Sequence, residues 1–153
     1  MMFLQFFIWG SWYATGGNYM RSHGMSEAIY LAYMASPIGS IISPFFMGMI
    51  ADRFFPVQKV MGVMHLMSGL FIFCAPIVAD ASVISTPLFL AFVLFHMLCY
   101  MPTVGLATAT AFHLLNDKAT EFPLVRVFGT MGWIVAASSP AQRQSRAKGK
   151  ARQ

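Results

Sequence analysis

Charged residues are scarce in this sequence, and their scarcity excludes an ordinary soluble domain. Only 10% of the 153 residues are charged and 58% are hydrophobic, whereas about a quarter of a soluble domain is charged. A soluble protein needs polar side chains to cover its surface. Lys and Arg exceed Asp and Glu by five, but the whole excess lies within residues 143–153. Residues 1–137 therefore form a neutral, apolar body, followed by a basic end.

The residue patterns that support catalysis, metal binding or nucleic-acid binding are also missing. Two Cys are too few for a disulfide framework or a four-ligand metal site. Basic residues are not spread over one folded face, as a nucleic-acid-binding domain requires. The sequence has no nucleophile elbow, no zinc-protease helix motif and no phosphate-binding glycine loop. We therefore expect no enzyme activity, no cofactor, no metal and no nucleic-acid partner.

Four long stretches carry no charge, and they predict transmembrane helices. They are residues 1–20, 28–51, 60–79 and 81–116. About 20 apolar residues in a helix cross a bilayer core of about 30 Å, and in lipid a helix satisfies its own backbone hydrogen bonds. We predict an all-α, polytopic transmembrane bundle, with a fifth helix that begins near Pro123 and four earlier helices at 2–19, 27–50, 57–78 and 86–115. The first helix lacks the basic start and the cleavage site of a signal peptide, which favours a retained anchor.

The positions of Lys and Arg predict the orientation of these helices. Arg53 and Lys59 follow the second helix, and Lys118 precedes the fifth, with Arg126 just inside it. Only Arg21 follows the first helix. Because cytoplasmic loops carry an excess of basic residues, we expect a cytoplasmic N-terminus.

The composition changes abruptly at the end of the predicted fifth helix. Residues 127–137 are apolar, and the chain then becomes rich in Gln, Arg, Lys and Ala. Eleven helical residues span about 16 Å, half of the bilayer core. We predict that 1–137 is a partial N-terminal transmembrane half and that 138–153 is a basic polar tail. The tail is either a disordered native segment on the cytoplasmic side or the scar of a frameshift or truncation, and the unfinished helix favours the scar.

Three segments in order carry a resemblance to a known family. They read FLQFFIWGSW at 3–12, YMPTVGL at 100–106 and EFPLVRVFGTMGW at 121–133. These segments resemble the nucleoside:proton symporter family of the major facilitator superfamily, over roughly residues 3–137. Members of that family have twelve helices. The resemblance therefore implies that this chain is an N-terminal fragment, with the first four helices and the start of a fifth of a major-facilitator-type fold.

The loop after the second helix resembles a signature of the same superfamily. Gly48, Asp52 and Arg53 match it, whereas residues 54–58 replace the further glycine and the paired basic residues. A glycine permits close helix approach at the membrane edge. An Asp near a helix end can pair with a base or a helix N-terminus, so the resemblance implies a conformational latch. The alternative is a plain charged cytoplasmic loop.

The fifth helix holds the main candidate substrate-binding residues. Arg126, Thr130 and Trp133 stand at i, i+4 and i+7, on one helix face. An Arg inside a membrane helix is costly and usually faces a cavity or a partner. Its guanidinium and the Thr hydroxyl can hydrogen-bond a nucleoside, and the Trp can stack. The resemblance places this stretch at the central substrate site; the alternative is that Arg126 snorkels to the cytoplasmic interface and Trp133 only packs.

Three further residues on the first and fourth helices are predicted to bind substrate. Gln5 and Trp9 share a stripe of the first helix with Trp12 and Tyr19, and Tyr100 lies in the YMPT segment of the fourth. Packing between helices is the alternative for Gln5 and Trp9.

The function implied by the resemblance is secondary active transport. We expect a fragment of a bacterial inner-membrane transporter that moves nucleosides with protons by alternating access. Its expected partners are the nucleoside, a coupling proton, the lipid bilayer and the missing C-terminal helices. His65, His96 and His113 lie in apolar runs, where a His either relays protons or hydrogen-bonds a neighbouring helix. The alternative function is a small four-helix membrane subunit or interaction protein with a basic cytoplasmic tail.

Overall fold

The computed structural model of the chain has five α-helices in its described residues. The structure describes residues 1–51, 56–79 and 85–138, with side chains throughout except at 44, 46–51 and 85. No strand occurs in these ranges. The helices are α1 (Met2–Ser22), α2 (Ile29–Ala51), α3 (Val57–Ala79), α4 (Ser85–Leu114) and α5 (Lys118–Ala137). Contacts divide the chain into one unit of Met1–Ser26 with Ala107–Gln153 and a second unit of Glu27–Leu106.

The all-α architecture predicted from the charge-free stretches is confirmed. Helices α1, α3 and α4 begin within one residue of their predicted starts, and α2 follows a single 3-10 turn at Ser26–Ala28. The reversal after α1 is closed by a hydrogen bond from the Met25 N–H to the Met20 carbonyl, 2.9 Å long. Gly24 supplies the positive φ of 76° that this turn requires.

The fifth helix begins earlier than predicted, at Lys118 rather than near Pro123. Asp117 is its N-cap, because its carboxylate accepts hydrogen bonds from the Ala119 N–H at 3.1 Å and the Thr120 hydroxyl at 2.8 Å. An Asp in this position satisfies backbone donors that the first helical turn leaves unpaired. Pro123 then falls inside the helix, in the second turn, and does not start it. The helix has 20 residues and a length of about 30 Å.

The first unit is built on the contact between α1 and α5. Gly10 of α1 and Gly129, Gly132 and Ala136 of α5 are buried along this contact. Just before α5, the ring of Phe112 at the end of α4 stacks on the ring of Phe122, with centroids 4.1 Å apart. The connection between α4 and α5 is therefore closed by an aromatic pair.

The second unit joins α2 and α3 to the first part of α4. A methyl group at Gly39 of α2 would lie 2.9 Å from the Met97 carbonyl oxygen, so these two helices meet at backbone distance. The Ser36 hydroxyl donates to the Met97 sulfur at 3.3 Å. Between α3 and α4, the ring of Phe71 lies 5.4 Å from that of Phe95. The buried residues of the second unit thus gather along α4.

Many large apolar side chains of α2 and α3 are exposed. Phe45 and Leu66 are both 77% exposed, and Phe73 is 69% exposed. Soluble monomers rarely leave broad apolar surfaces open to water. Among the described residues, α3 and the Thr86–Leu114 part of α4 are long and apolar enough to cross a bilayer. The predicted spans at α1 and α2 stay predictions.

Candidate functional site

The candidate site is built on the seam between α1 and α5, where small residues let the two backbones touch. A Cβ on Gly132 would collide with the Phe3 carbonyl oxygen and lie 3.2 Å from the Phe7 nitrogen. A Cβ on Gly129 would meet the Phe6 ring at 2.8 Å. Small residues at such positions allow close packing of membrane helices. The seam therefore fixes the position of α5 against α1.

Three aromatic rings lie together at this seam, and we call Trp9, Tyr13 and Trp133 the aromatic cluster. The ring of Trp133 meets Trp9 edge to face, with centroids 5.2 Å apart and an interplanar angle of 84°. Tyr13 lies 5.8 Å from Trp133 and 6.0 Å from Trp9. Edge-to-face geometry is favourable for such pairs. The structure thus brings together the predicted residues Trp9 and Trp133.

Arg126 lies beside the same seam, three residues before the buried Gly129. Its side chain is exposed, and its guanidinium carbon lies 5.9 Å from the centre of the Phe6 ring. None of the carboxylates in the described ranges pairs with it. Counted from Lys118, Arg126 is eight residues along α5, or about 12 Å. Arg126 therefore lies farther from the start of α5 than the sequence predicts, because the helix begins at Lys118 rather than near Pro123.

Thr130 lies on the turn after Arg126, and the structure places it beside that residue. The Thr130 hydroxyl donates to the Arg126 carbonyl oxygen at 3.4 Å, and the side chain is exposed. This bond is long, so the hydroxyl is held only loosely by its own helix. Arg126 and Thr130 present their polar groups on the exposed side of the seam, while Trp133 turns toward α1.

The other two predicted substrate residues are buried in different places. Gln5 of α1 is 3% exposed and belongs to the first unit. Tyr100 belongs to the second unit, where it is 1% exposed and lies between two imidazole rings, His96 at 5.6 Å and His65 at 6.0 Å. Their role in binding substrate stays a prediction.

The predicted latch falls outside the part of the chain whose side chains are described. Gly48 lies within the backbone of α2, and Asp52 and Arg53 are outside the described residues. The predicted tail is likewise outside them from residue 139 onward. In the ranges that the structure describes, no three metal-binding side chains come together.

Two residues of the seam were not predicted from the sequence. Phe6 lies under the Arg126 guanidinium, and Tyr13 completes the aromatic cluster. Their spacing from Trp9, three residues before and four after, is the spacing of one helical face. The stripe predicted on α1 runs through Gln5 and Trp12, so it does not include these two positions.

Comparison with known proteins identifies the family. The model of the family described as "Nucleoside H+ symporter" matches residues 1–146. This chain belongs to that family. The match continues nine residues past Ala137, the last residue of the predicted transmembrane part.

Individual members of the nucleoside H+ symporter family agree with this assignment. The chain is 36% identical over 143 residues to the xanthosine permease of Escherichia coli K12, and 31% identical over 144 residues to the nucleoside permease NupG of the same organism. Each match covers 89% of this chain and 33% of the relative. The crystal structure of the nucleoside transporter NupG superposes with a TM-score of 0.76 and 31% identity, over 88% of this chain and 34% of that one.

These matches establish two points about the chain. It spans about a third of the length of the relatives it matches, and its helices follow the first part of a solved transporter. Family membership and the two apolar helices make it a membrane protein. The resemblance predicted from the three sequence segments is thereby confirmed.

Proposed function

We propose that this chain forms the first third of a secondary active transporter that carries nucleosides together with protons across the bacterial inner membrane. Its family and the names of its relatives favour transport over catalysis. In transporters of this type, two helical halves rock about a site near the middle of the membrane. The chain supplies part of one half, and the remaining helices of the relatives complete the site.

The proposal rests mainly on the position and surroundings of the Arg126 side chain. This guanidinium lies about 12 Å into α5, on an exposed face, with no carboxylate partner in the described ranges. An Arg at depth in a membrane helix is expensive and marks a ligand, a cavity or a partner. Because a nucleoside is rich in hydroxyl and carbonyl oxygens, it offers the acceptors that five guanidinium N–H donors require.

The surroundings of Arg126 support a nucleoside in particular. The Thr130 hydroxyl can add a hydrogen bond next to the guanidinium. The aromatic cluster of Trp9, Tyr13 and Trp133 offers ring faces and edges on which a base can stack. Polar donors on one side and aromatic rings on the other match the ribose and the base. We include Gln5 and Tyr100 among the substrate residues on the family resemblance alone.

The proposed orientation places the N-terminus in the cytoplasm. It rests on the excess of Lys and Arg in the loops that follow α2 and precede α5. In this orientation the loop with Asp52 and Arg53 is cytoplasmic, and we propose that it latches one conformation together with Gly48.

A hybrid transporter tests the site. Residues 1–137 of this chain replace the matching third of the xanthosine permease, and binding of radiolabelled uridine and xanthosine is measured in membrane vesicles. We expect Arg126→Ala to weaken nucleoside binding about tenfold or more, since hydrogen bonds to a charged donor contribute about 1.5–3 kcal/mol. Arg126→Lys keeps the charge but loses the planar fork, so it should restore binding only in part.

Lys118→Ala is the matched control for Arg126→Ala. Lys118 is also basic, exposed and on α5, but it lies in the first turn and away from the aromatic cluster. We expect it to leave nucleoside affinity unchanged. Equal affinity of the unmodified hybrid and its Arg126→Ala variant, at equal amounts of folded protein, would refute the proposed site.

A further inference from the structure

A polar cluster lies inside the second unit. Its members are Ser68 and His65 of α3 and His96 and Tyr100 of α4. Ser68, His96 and Tyr100 are at most 2% exposed. Both helices meet the length and composition requirement for membrane spans, and these residues lie near their middles. An ionisable residue at such depth is a functional candidate by default.

The contacts of His96 with Ser68 favour one tautomer of its ring. Its Nδ1 lies 2.9 Å from the Ser68 carbonyl oxygen and 2.8 Å from the Ser68 hydroxyl oxygen. A carbonyl oxygen can only accept, so the contact with it is a hydrogen bond in the tautomer whose Nδ1 carries the hydrogen and donates it. In a neutral imidazole the other nitrogen then bears the lone pair. Nε2 of His96 is therefore the basic atom of this ring.

Tyr100 provides a second feature that suits a charged imidazole. The Tyr100 ring stacks on His96, with centroids 5.6 Å apart and an interplanar angle of 22°. The face of an aromatic ring attracts a cation within about 6 Å of its centre. Burial disfavours any ion, but the Ser68 carbonyl and the Tyr100 face both stabilise the imidazolium more than the neutral ring.

We propose that His96 binds a proton at Nε2, with the Ser68 carbonyl and the Tyr100 ring as the groups that hold its imidazolium. The step adds one N–H bond at Nε2 and leaves the Nδ1–H donation to α3 unchanged. The ring gains one positive charge, and no other atom is exchanged. This inference deepens the proposed function, because a nucleoside transporter coupled to protons needs a group that takes up the proton.

Among the titratable groups of the polar cluster and the helices packed around it, His96 is the buried base. His65 lies on the far side of Tyr100, at 6.0 Å, and its Nδ1 donates to the Met61 carbonyl at 2.9 Å. Helix α2 packs on α4 at Met97 and contributes no Asp, Glu, Lys, Arg or His in its 23 residues. The remaining titratable groups among the second unit's described residues are one carboxyl, two phenols, two thiols and one ammonium: Glu27, Tyr30, Tyr33, Cys74, Cys99 and Lys59.

Nitrogen NMR on the whole 153-residue chain tests the proposal. The chain is labelled with [15N]histidine and reconstituted in lipid nanodiscs, and the ring signals of its four His are followed from about pH 8 to about pH 4, the range in which imidazoles titrate. Single His→Asn variants at 23, 65, 96 and 113 assign the signals. If one variant does not fold, its signal is the one that remains after the other three have been assigned. We expect His96 to be an Nδ1–H tautomer at high pH and to become an imidazolium reversibly.

Variants of its neighbours separate proton binding from a purely structural hydrogen bond. Tyr100→Leu removes the ring face and should lower the proton affinity of His96 about threefold or more, whereas Tyr100→Phe keeps the face and should change it little. Ser68→Ala removes the hydroxyl but keeps the carbonyl, so the Nδ1–H tautomer should persist. His65→Asn should leave the His96 titration in place.

Two results would overturn the proposal. One is a His96 ring that stays neutral down to about pH 4 while the helices persist. The other is an Nε2–H tautomer, which would mean that Nδ1 accepts from the Ser68 hydroxyl. Both results are measured without nucleoside, so neither of them tests the proposed Arg126 site. Conversely, unchanged nucleoside affinity in the Arg126→Ala hybrid would refute the Arg126 site and would not change the expected titration of His96.

Discussion

At the scale of single residues, glycines decide how closely the helices of the first unit approach. Gly132 stands against backbone atoms of Phe3 and Phe7, whereas Gly129 stands against the ring of Phe6. A side chain can swing away from an added methyl group, but a packed backbone cannot. The two glycines on one helix are therefore not equivalent, and Gly132 is the more demanding position.

Gly132→Ala should destabilise the chain by about 1–3 kcal/mol, because overpacking forces α1 and α5 apart. The free energy of unfolding in detergent micelles, measured by circular dichroism during SDS titration, checks this. Gly62→Ala in α3 is the control, since a Cβ there meets nothing within 4 Å. That variant should be neutral or stabilising by up to about 1 kcal/mol, as helix propensity predicts. Equal destabilisation by both would contradict the backbone contact.

Some residues of the α1–α5 seam could be predicted from the sequence and others could not. Arg126, Thr130 and Trp133 were predicted on one face of α5 from their spacing, and Trp9 does lie against Trp133. Spacing along one helix cannot tell which face a second helix covers. For that reason the contact of Phe6 with Arg126 was not predicted, and the choice for Gln5 between substrate binding and helix packing stays open.

At the scale of elements, helix boundaries were predictable where charge marked them. Helices α3 and α4 begin within one residue of the predicted positions, because a charged connector separates long apolar runs. The predicted start of α5 near Pro123 is wrong, because Pro123 lies in the second turn of the helix. The cap formed by Asp117 lies earlier, in a polar segment where hydropathy gives no signal.

The Asp117 cap predicts a pH dependence at the start of α5. Hydrogen bonds from the Thr120 hydroxyl and the Ala119 N–H lower the pKa of the Asp117 carboxyl below its ordinary value. A group whose pKa is lowered by folding stabilises the folded state above its unfolded pKa, near 4, and loses this effect as pH falls through the folded pKa. Protection of the Ala119 amide against hydrogen exchange should therefore decrease below about pH 4.

Asp117→Asn is the matched control for this pH dependence. The amide keeps an acceptor for the Ala119 N–H but has no carboxyl to titrate. The protection factor of Ala119, corrected for intrinsic exchange, should then be independent of pH over the same interval. A pH dependence that survives in Asp117→Asn would show that another group controls the start of α5.

At the scale of the whole molecule, the helices of the chain follow the first part of a solved transporter, and the chain spans about a third of its relatives' length. The first unit carries the Arg126 face, and the second carries the His96 cluster. The division at residue 137 stays a prediction, since the described part of the chain ends at Ser138. Alternating access requires two halves that move against each other around the substrate, and a third of the relatives' length supplies less than one half.

The 153-residue chain alone should therefore bind lipid but not carry nucleosides. Lipid vesicles that contain only this chain should take up radiolabelled uridine at the rate of empty vesicles, with or without a pH gradient, because no second half closes the pathway. Vesicles that contain the full-length xanthosine permease, loaded with radiolabelled xanthosine, are the positive control for reconstitution. Gradient-dependent uptake of uridine by the chain that saturates with concentration would show that it forms a complete pathway, for example by assembling several copies.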